Sequence, residues 1–284
     1  MSTPSNASSP SHVAQIESDC SKSWTTSAGQ SRMVWRRWGN GPALILLHGG
    51  AGSWQHWIRN IGHLSKGHTL WIPDMPGFGD SDLPRDGLDA DTLAPMVLKG
   101  ALEVLQGRDF QLIGFSFGAL VAGYMAAADP ATLRSLVLVS AAGMGMMGDF
   151  SSLKPLRKIE DRAERDEVLR HNLQLIMLSR AECIDDLAIA IQGDVAPKDR
   201  VRNRKRAHED ILASIAATWS RPAYGIWGDE DPIYQGRIDR LEAKVSQLGL
   251  RSHTVLPRAG HWLQYQDADA FHSTLHEYLH DGMK

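Results

Sequence analysis

Short apolar runs alternate along this chain with longer stretches in which apolar residues recur at helical spacing. Ala43-Leu44-Ile45-Leu46-Leu47, Thr69 to Pro73, the start of Phe110 to Ala128, Leu133 to Ser140 (LRSLVLVS), Ala223 to Trp227 and Ser252 to Leu256 are the short runs. They are too short for globular helices, and the most apolar of them read as strands buried on both faces. SRMVWRRWG, from Ser31, alternates well enough for a further strand, and Gly39-Asn40-Gly41-Pro42 turns it into the next. Helical text lies between the runs, at about Trp54 to Leu64, Thr92 to Gln106, the latter part of Phe110 to Ala128, Gln235 to Leu248 and Asp267 to Tyr278. Strands alternating with helices predict an α/β domain with parallel pairing and helices on both faces of the sheet.

That rhythm breaks once. From about Met144 to Ser220 there is no strand signal, only KPLRKIEDRAERDEVLRHNLQLIMLS, AECIDDLAIAIQ and RVRNRKRAHEDILASIAATW, all helical with charged faces. The stretch reads as a helical insertion, a lid over the end of the sheet where the loops gather. Residues 1 to 30 are rich in Ser, Thr, Pro and Asn without a sustained period, which predicts a flexible N-terminal arm. The expected organisation is therefore an arm over 1–30, a core over 31–143 and 221–284, and a helical cap over 144–220.

Composition narrows the setting. The 284 residues can bury a full core without staples. Acidic residues number 33 against 30 basic, a formal charge of −3, so no general attraction to nucleic acid or to an anionic membrane is expected. Two distant cysteines, Cys20 and Cys183, form no framework and suit a reducing compartment. No apolar run reaches bilayer length, and MSTPSNASSPSHVAQ lacks a basic start and an apolar core. The expectation is a cytoplasmic protein acting on a small-molecule substrate, as a monomer or homodimer.

The chemistry is concentrated at one turn. Phe110 to Ala128 passes from strand to helix through Gly114-Phe115-Ser116-Phe117-Gly118. A serine there is held in a strained turn, clear of the sheet and near the positive end of the following helix. A serine hydroxyl needs a base to take its proton and a third group to orient that base. His261, in Pro257-Arg258-Ala259-Gly260-His261-Trp262 after a late strand, fits the base. Gly228-Asp229-Glu230-Asp231-Pro232, after the preceding strand, offers three acids. His48-Gly49-Gly50-Ala51-Gly52-Ser53 ends a buried strand in small residues, which lets backbone N–H groups face a cavity. His48, His56, His63 and His68 have no metal-binding spacing, and neither a metal nor an organic cofactor is expected.

HGGAGS, DMPGFGDSD, GFSFG, GDEDP and AGHW together resemble the α/β-hydrolase superfamily, in its order of nucleophile, acid and histidine. The resemblance runs from about residue 31 to the end. It implies an α/β-hydrolase fold: a mostly parallel eight-stranded sheet with helices on both faces and a helical cap after strand six. It implies Ser116 as nucleophile, His261 as base and Asp231 as the orienting acid. The amides of Phe117 and of Gly50 or Ala51 would receive the oxyanion. Gly260-His261-Trp262-Leu263-Gln264 and Trp57-Ile58-Arg59-Asn60-Ile61 look closest to the branch that hydrolyses carbon–carbon bonds in products of aromatic ring cleavage. That branch has a small polar residue where Phe115 stands here, and a cap arginine where an ungapped reading puts Gln192. An arginine from the nearby run Arg200 to Arg206 could stand in for it, but that run reads first as a solvated helix face.

With that fold, Phe115, Phe117, Trp262, Met144, Met146 and Met147 lie near the mouth of the site; Phe115, Trp262, Met144 and Met147 are the expected substrate contacts. An apolar, aromatic lining suits a small acyl or aryl substrate. The expectation is a serine hydrolase of small, largely apolar carboxylic esters, with a carbon–carbon hydrolase second. A ligand receptor on the same fold is the reading from another class, and the presence of all three triad residues argues for the enzyme.

Overall fold

The computed structural model describes residues 11–26, 31–85, 89–156, 159–201, 203–234 and 237–282. Eight strands form one sheet: β1 (Ser21–Thr26), β2 (Arg32–Trp38), β3 (Ala43–Leu47), β4 (Thr69–Pro73), β5 (Phe110–Phe115), β6 (Leu133–Val139), β7 (Ala223–Gly228) and β8 (Ser252–Leu256). Their order is β1-β2-β4-β3-β5-β6-β7-β8. β1 and β2 pair antiparallel, β2 pairs antiparallel with β4, and every other pair is parallel.

Alternation of side chains along the central strands divides the core into two apolar layers. Ile45, Leu47, Leu112, Leu136 and Leu138 pack with helices Ala90–Leu105 and Phe117–Ala127. Leu44, Leu46, Ile113, Val137 and Val139 pack with helices Ile58–Leu64 and Ala268–Asp281. The parallel strands all point one way, so the loops after β3, β5, β6, β7 and β8 converge on one edge.

The segment expected to be a flexible arm is part of the fold over 11–26. Ser11–Ser18 is helical, and β1 supplies the eighth strand. Polar ties that leave no periodic pattern in the sequence hold it. The Trp38 indole donates to the Ile16 carbonyl at 2.9 Å and the Trp35 indole to Thr25 Oγ1 at 3.1 Å. Glu17 accepts from the buried Arg36 guanidinium at 3.0 Å. The rest of the expected arm, 1–10 and 27–30, lies outside the described residues, as do Arg202 and the expected helix start at Gln235.

Between β6 and β7 the chain is helical, with Arg162–Ile176, Asp186–Val195, Lys205–His208 and Leu212–Ala216. The helix expected through Arg200 to Arg206 begins only at Lys205. Before it, Asp199 bends the chain inwards, its carboxylate accepting from the Val201 amide at 3.0 Å and from Arg204 at 2.6 Å.

Candidate active site

Ser116 follows β5 with φ 54° and caps the helix behind it. This sharp turn works only with glycine on both sides. A Cβ at Gly114 would lie 2.4 Å from the Gly118 carbonyl oxygen, and one at Gly118 would lie 2.3 Å from that of His48. The Ser116 amide remains tied to the sheet through the Val139 carbonyl at 2.8 Å, which leaves the side chain projecting above the edge.

Two loops bring the partners to it. Gly228 lets the loop after β7 touch the loop after β8, since a Cβ there would stand 2.1 Å from the Ala259 carbonyl oxygen. The Glu230 amide donates to that same carbonyl at 3.1 Å. Asp229 and Glu230 point to solvent, while Asp231 turns inwards and is buried. Its Oδ2 stands 2.7 Å from His261 Nδ1, and its Oδ1 accepts from the Ile233 amide at 2.9 Å. His261 Nε2 lies 2.8 Å from Ser116 Oγ. Hydroxyl, imidazole and carboxylate form one hydrogen-bonded line, closed to water at the carboxylate end. Such a line can move a proton off Ser116 and stabilise the imidazolium that results.

Beside Ser116 lies the turn after β3, gripped by two imidazoles. The Met75 amide, a fixed donor, reaches His48 Nε2 at 3.0 Å, so the ring proton sits on Nδ1 and is donated to the Gly49 carbonyl at 2.8 Å. The Gly49 amide donates to His56 Nδ1 at 3.2 Å, which fixes the opposite tautomer there. In a trans peptide the C=O and the next N–H point in opposite directions. Holding the Gly49 carbonyl against His48 therefore aims the Gly50 amide away from it, towards the pocket. Burial keeps His48 below the ordinary histidine range and His56 well below it, the latter helped by its His48 and His261 neighbours. Both rings are thus neutral, as their hydrogen bonds require.

Among the described residues the amides of Phe117 and Gly50 have no acceptor, and both residues line one cavity with Ser116. Ala51, the other expected oxyanion donor, is corrected: its amide is held by the Asp199 carboxylate at 3.1 Å.

The cavity above Ser116 has about 200 Å³ of space and is lined mainly by apolar side chains from both core and insertion. Phe115 and Met147 line it as expected. Phe115 also packs under the turn after β3, where a Cβ at Gly49 would come 3.0 Å from its ring, and its ring lies 5.1 Å from that of His261. Trp262 is a correction: fully buried, it stacks on Tyr265 at 4.1 Å and donates its indole N–H to the His56 carbonyl at 2.8 Å, away from the cavity. Met144 instead lines a small space that adjoins the cavity at Ser116 and His261. Phe150, Leu153, Ile176 and Met177 face the cavity without any signal in the sequence beyond their being apolar.

Arg204, expected on a solvated face, turns into the cavity. A Cβ at Gly50 would come 3.2 Å from its guanidinium carbon. Its charge is balanced by Asp199, and the same NH1 donates to the Val201 carbonyl at 2.8 Å. Gln192 does not line the cavity; its Nε2 reaches the Ala51 carbonyl at 3.4 Å.

A family model described as the alpha/beta hydrolase family matches residues 44–274. Over 262 residues the chain is 28% identical to a 2-hydroxy-6-oxo-6-phenylhexa-2,4-dienoate hydrolase of Burkholderia cepacia, covering 86% of this chain and 90% of that protein. It is 29% identical, with the same coverage, to a 2-hydroxy-6-oxononadienedioate/2-hydroxy-6-oxononatrienedioate hydrolase of Comamonas testosteroni. Its fold matches that of the carboxylesterase CesB from Bacillus subtilis with a TM-score of 0.76 at 15% identity, over 95% of this chain and 96% of that one. Among the described residues no helix is long and apolar enough to cross a membrane. The chain belongs to the alpha/beta hydrolase family and is a hydrolase.

Proposed function

We propose that this enzyme cleaves small, largely apolar carboxylic esters through an acyl-enzyme on Ser116. The observation that carries the reading is the unbroken line from Ser116 Oγ through His261 to Asp231, at 2.8 Å and 2.7 Å. Ser116 attacks the ester carbonyl as His261 Nε2 takes its proton. The oxyanion that forms lies against the Phe117 and Gly50 amides, each such donor contributing about 3 kcal/mol in the transition state. His261 then gives its proton to the departing alkoxide, and water releases the acid in a second round with Ser116 as leaving group. Asp231, with one oxygen on Nδ1 and the other on a backbone amide, orients the ring throughout.

The lining of the cavity supports a neutral, apolar acyl group. The helical insertion acts as a cap that selects the substrate, because it supplies half of that lining. Arg204 is the one cation facing the cavity among the described residues that line it, and Asp199 neutralises it. This weighs against a carboxylate-bearing substrate of the kind named in the curated relatives. The deciding experiment is a panel of p-nitrophenyl esters, lactones, amides and vinylogous diketones with the purified protein. Fastest turnover of short apolar esters, abolished by Ser116→Ala, is expected; a vinylogous diketone cleaved faster than every ester would replace this reading with the carbon–carbon one.

A further inference from the structure

Adjoining the cavity at Ser116, His261, Met147 and Ile233 is a second space of about 10 Å³, whose further walls include Ser140, Tyr234, Met144 and Met146. It is about the volume that one water molecule occupies and too small for an organic substrate. Four of its walls are polar. Ser116 Oγ and the His261 imidazole are the proton-transfer pair. Tyr234, which also lines the space, donates its hydroxyl proton to the Ala141 carbonyl at 2.8 Å, so its oxygen can act there only as an acceptor.

Ser140 is the unexplained wall. It follows β6 directly and is fully buried, yet its Oγ has no hydrogen-bond partner among the described residues. A buried hydroxyl left unpaired is costly, and native proteins satisfy nearly all such groups. Its backbone is strained as well, with φ 45°, a region that glycine enters freely and serine does not. The Ser140 amide is held to the Ile226 carbonyl at 2.9 Å, so the sheet imposes this conformation whatever the side chain. A strained position that carries a buried, unpaired hydroxyl beside a nucleophile and its base calls for a ligand small and polar enough to fit.

We infer that this chamber holds the water that releases the acyl-enzyme, with Ser140 Oγ as its anchor. The inference rests on the acyl-enzyme reading above. Once Ser116 is acylated its oxygen no longer donates to His261, and Nε2 is free to accept from the water. Ser140 Oγ and Tyr234 Oη hold the water in place. Its oxygen bonds to the acyl carbon while its proton passes to Nε2. The tetrahedral intermediate then breaks its bond to Ser116 Oγ, which leaves with the proton from His261, and the carboxylic acid departs. Acylation needs none of this, so Ser140 is a positioning residue for the second half-reaction only.

Rapid-quench mass spectrometry of the enzyme during turnover of p-nitrophenyl butyrate separates the two halves. Ser140→Ala is expected to acylate Ser116 at a rate within about twofold of the unmodified enzyme and to lose the acyl group about tenfold more slowly, the effect of one hydrogen bond to the attacking group. Ser140→Gly, which relieves the backbone strain, is expected to behave alike, so that slow deacylation tracks the hydroxyl. A second readout is competition between water and added methanol, which is too large for the chamber: the ratio of methyl ester to acid should rise several-fold in both variants. Equal slowing of both half-reactions, or an unchanged product ratio, would overturn the assignment. If no acyl group appears on Ser116 in any of the proteins, the esterase reading itself falls, and this one with it.

Discussion

At the carboxyl edge of the sheet each reactive group is held by backbone geometry, whereas in the helical insertion the groups facing the same cavity are held by side-chain packing. Gly114, Gly118 and Gly228 each stand where a Cβ would run into a carbonyl oxygen, and they place Ser116 and Asp231 to within a hydrogen bond of His261. Met147, Phe150, Ile176 and Met177 reach the cavity from an insertion whose chain turns on contacts such as Asp199 with Arg204. The difference suggests a division of work under the proposed function: the edge would fix the reaction, and the insertion would set what is admitted to it. Substitutions in the two regions should therefore fail in different ways.

The largest effect is expected at the edge. Ser116→Ala and His261→Ala should each lower kcat/KM for a good ester by roughly 10⁴-fold or more with unchanged circular dichroism. Turnover within tenfold of the unmodified enzyme in either variant would dissolve the division. Next comes His48→Ala, which removes the donor to the Gly49 carbonyl and the acceptor of the Met75 amide. The Gly50 amide then loses its fixed aim, and kcat should fall by about 10²-fold with little change in KM. Steady-state kinetics that show a raised KM and an intact kcat would return His48 to a packing role.

In the insertion, Phe150→Ala and Met147→Ala should move the preference towards longer acyl chains by about tenfold in relative kcat/KM, while the rate of reaction with a fluorophosphonate stays within about threefold. A comparable loss for esters of every length would show that the insertion does more than select. The smallest effect concerns three buried imidazoles, His48 and His56 at the edge and His272 against Asn60. Burial holds His48 and His56 below 6.5, and burial beside His63 holds His272 at about 4. Between those values the unfolded chain binds more protons than the folded one, so the stability carried by the neutral rings is complete above pH 6.5 and is lost as the pH falls towards 4. Urea midpoints should accordingly drop between about pH 7.5 and about pH 5. A constant or rising midpoint contradicts the buried neutral state.

The same division governs what was legible in the sequence. The buried central strands leave contiguous apolar text, and the turn around Ser116 leaves its two glycines, because backbone crowding admits few residues. The acid in the loop after β7 is different: three carboxylates compete in the text, and only burial against His261 separates Asp231 from its exposed neighbours. The helix Ser11–Ser18 and β1 leave little mark in the sequence because an indole, a carboxylate and a hydroxyl tie them to the sheet, at Ile16, Glu17 and Thr25, rather than an apolar stripe. The inward turn of Arg204 leaves no mark because a basic run looks alike whether it faces water or, as here, an aspartate beside the turn after β3. Trp262 was misassigned because an aromatic next to a reactive histidine can serve the fold as readily as the pocket. Ser140 gives no sign at all in the sequence; its strained backbone and unpaired hydroxyl exist only in three dimensions.

Labelling with a fluorophosphonate, followed by peptide mass spectrometry, tests the central claim most directly. A single adduct on Ser116, formed rapidly in the unmodified protein and at least about a hundredfold more slowly in His261→Ala, is the predicted result. Ser116 left unlabelled, or labelled at the same rate without His261, would contradict the account.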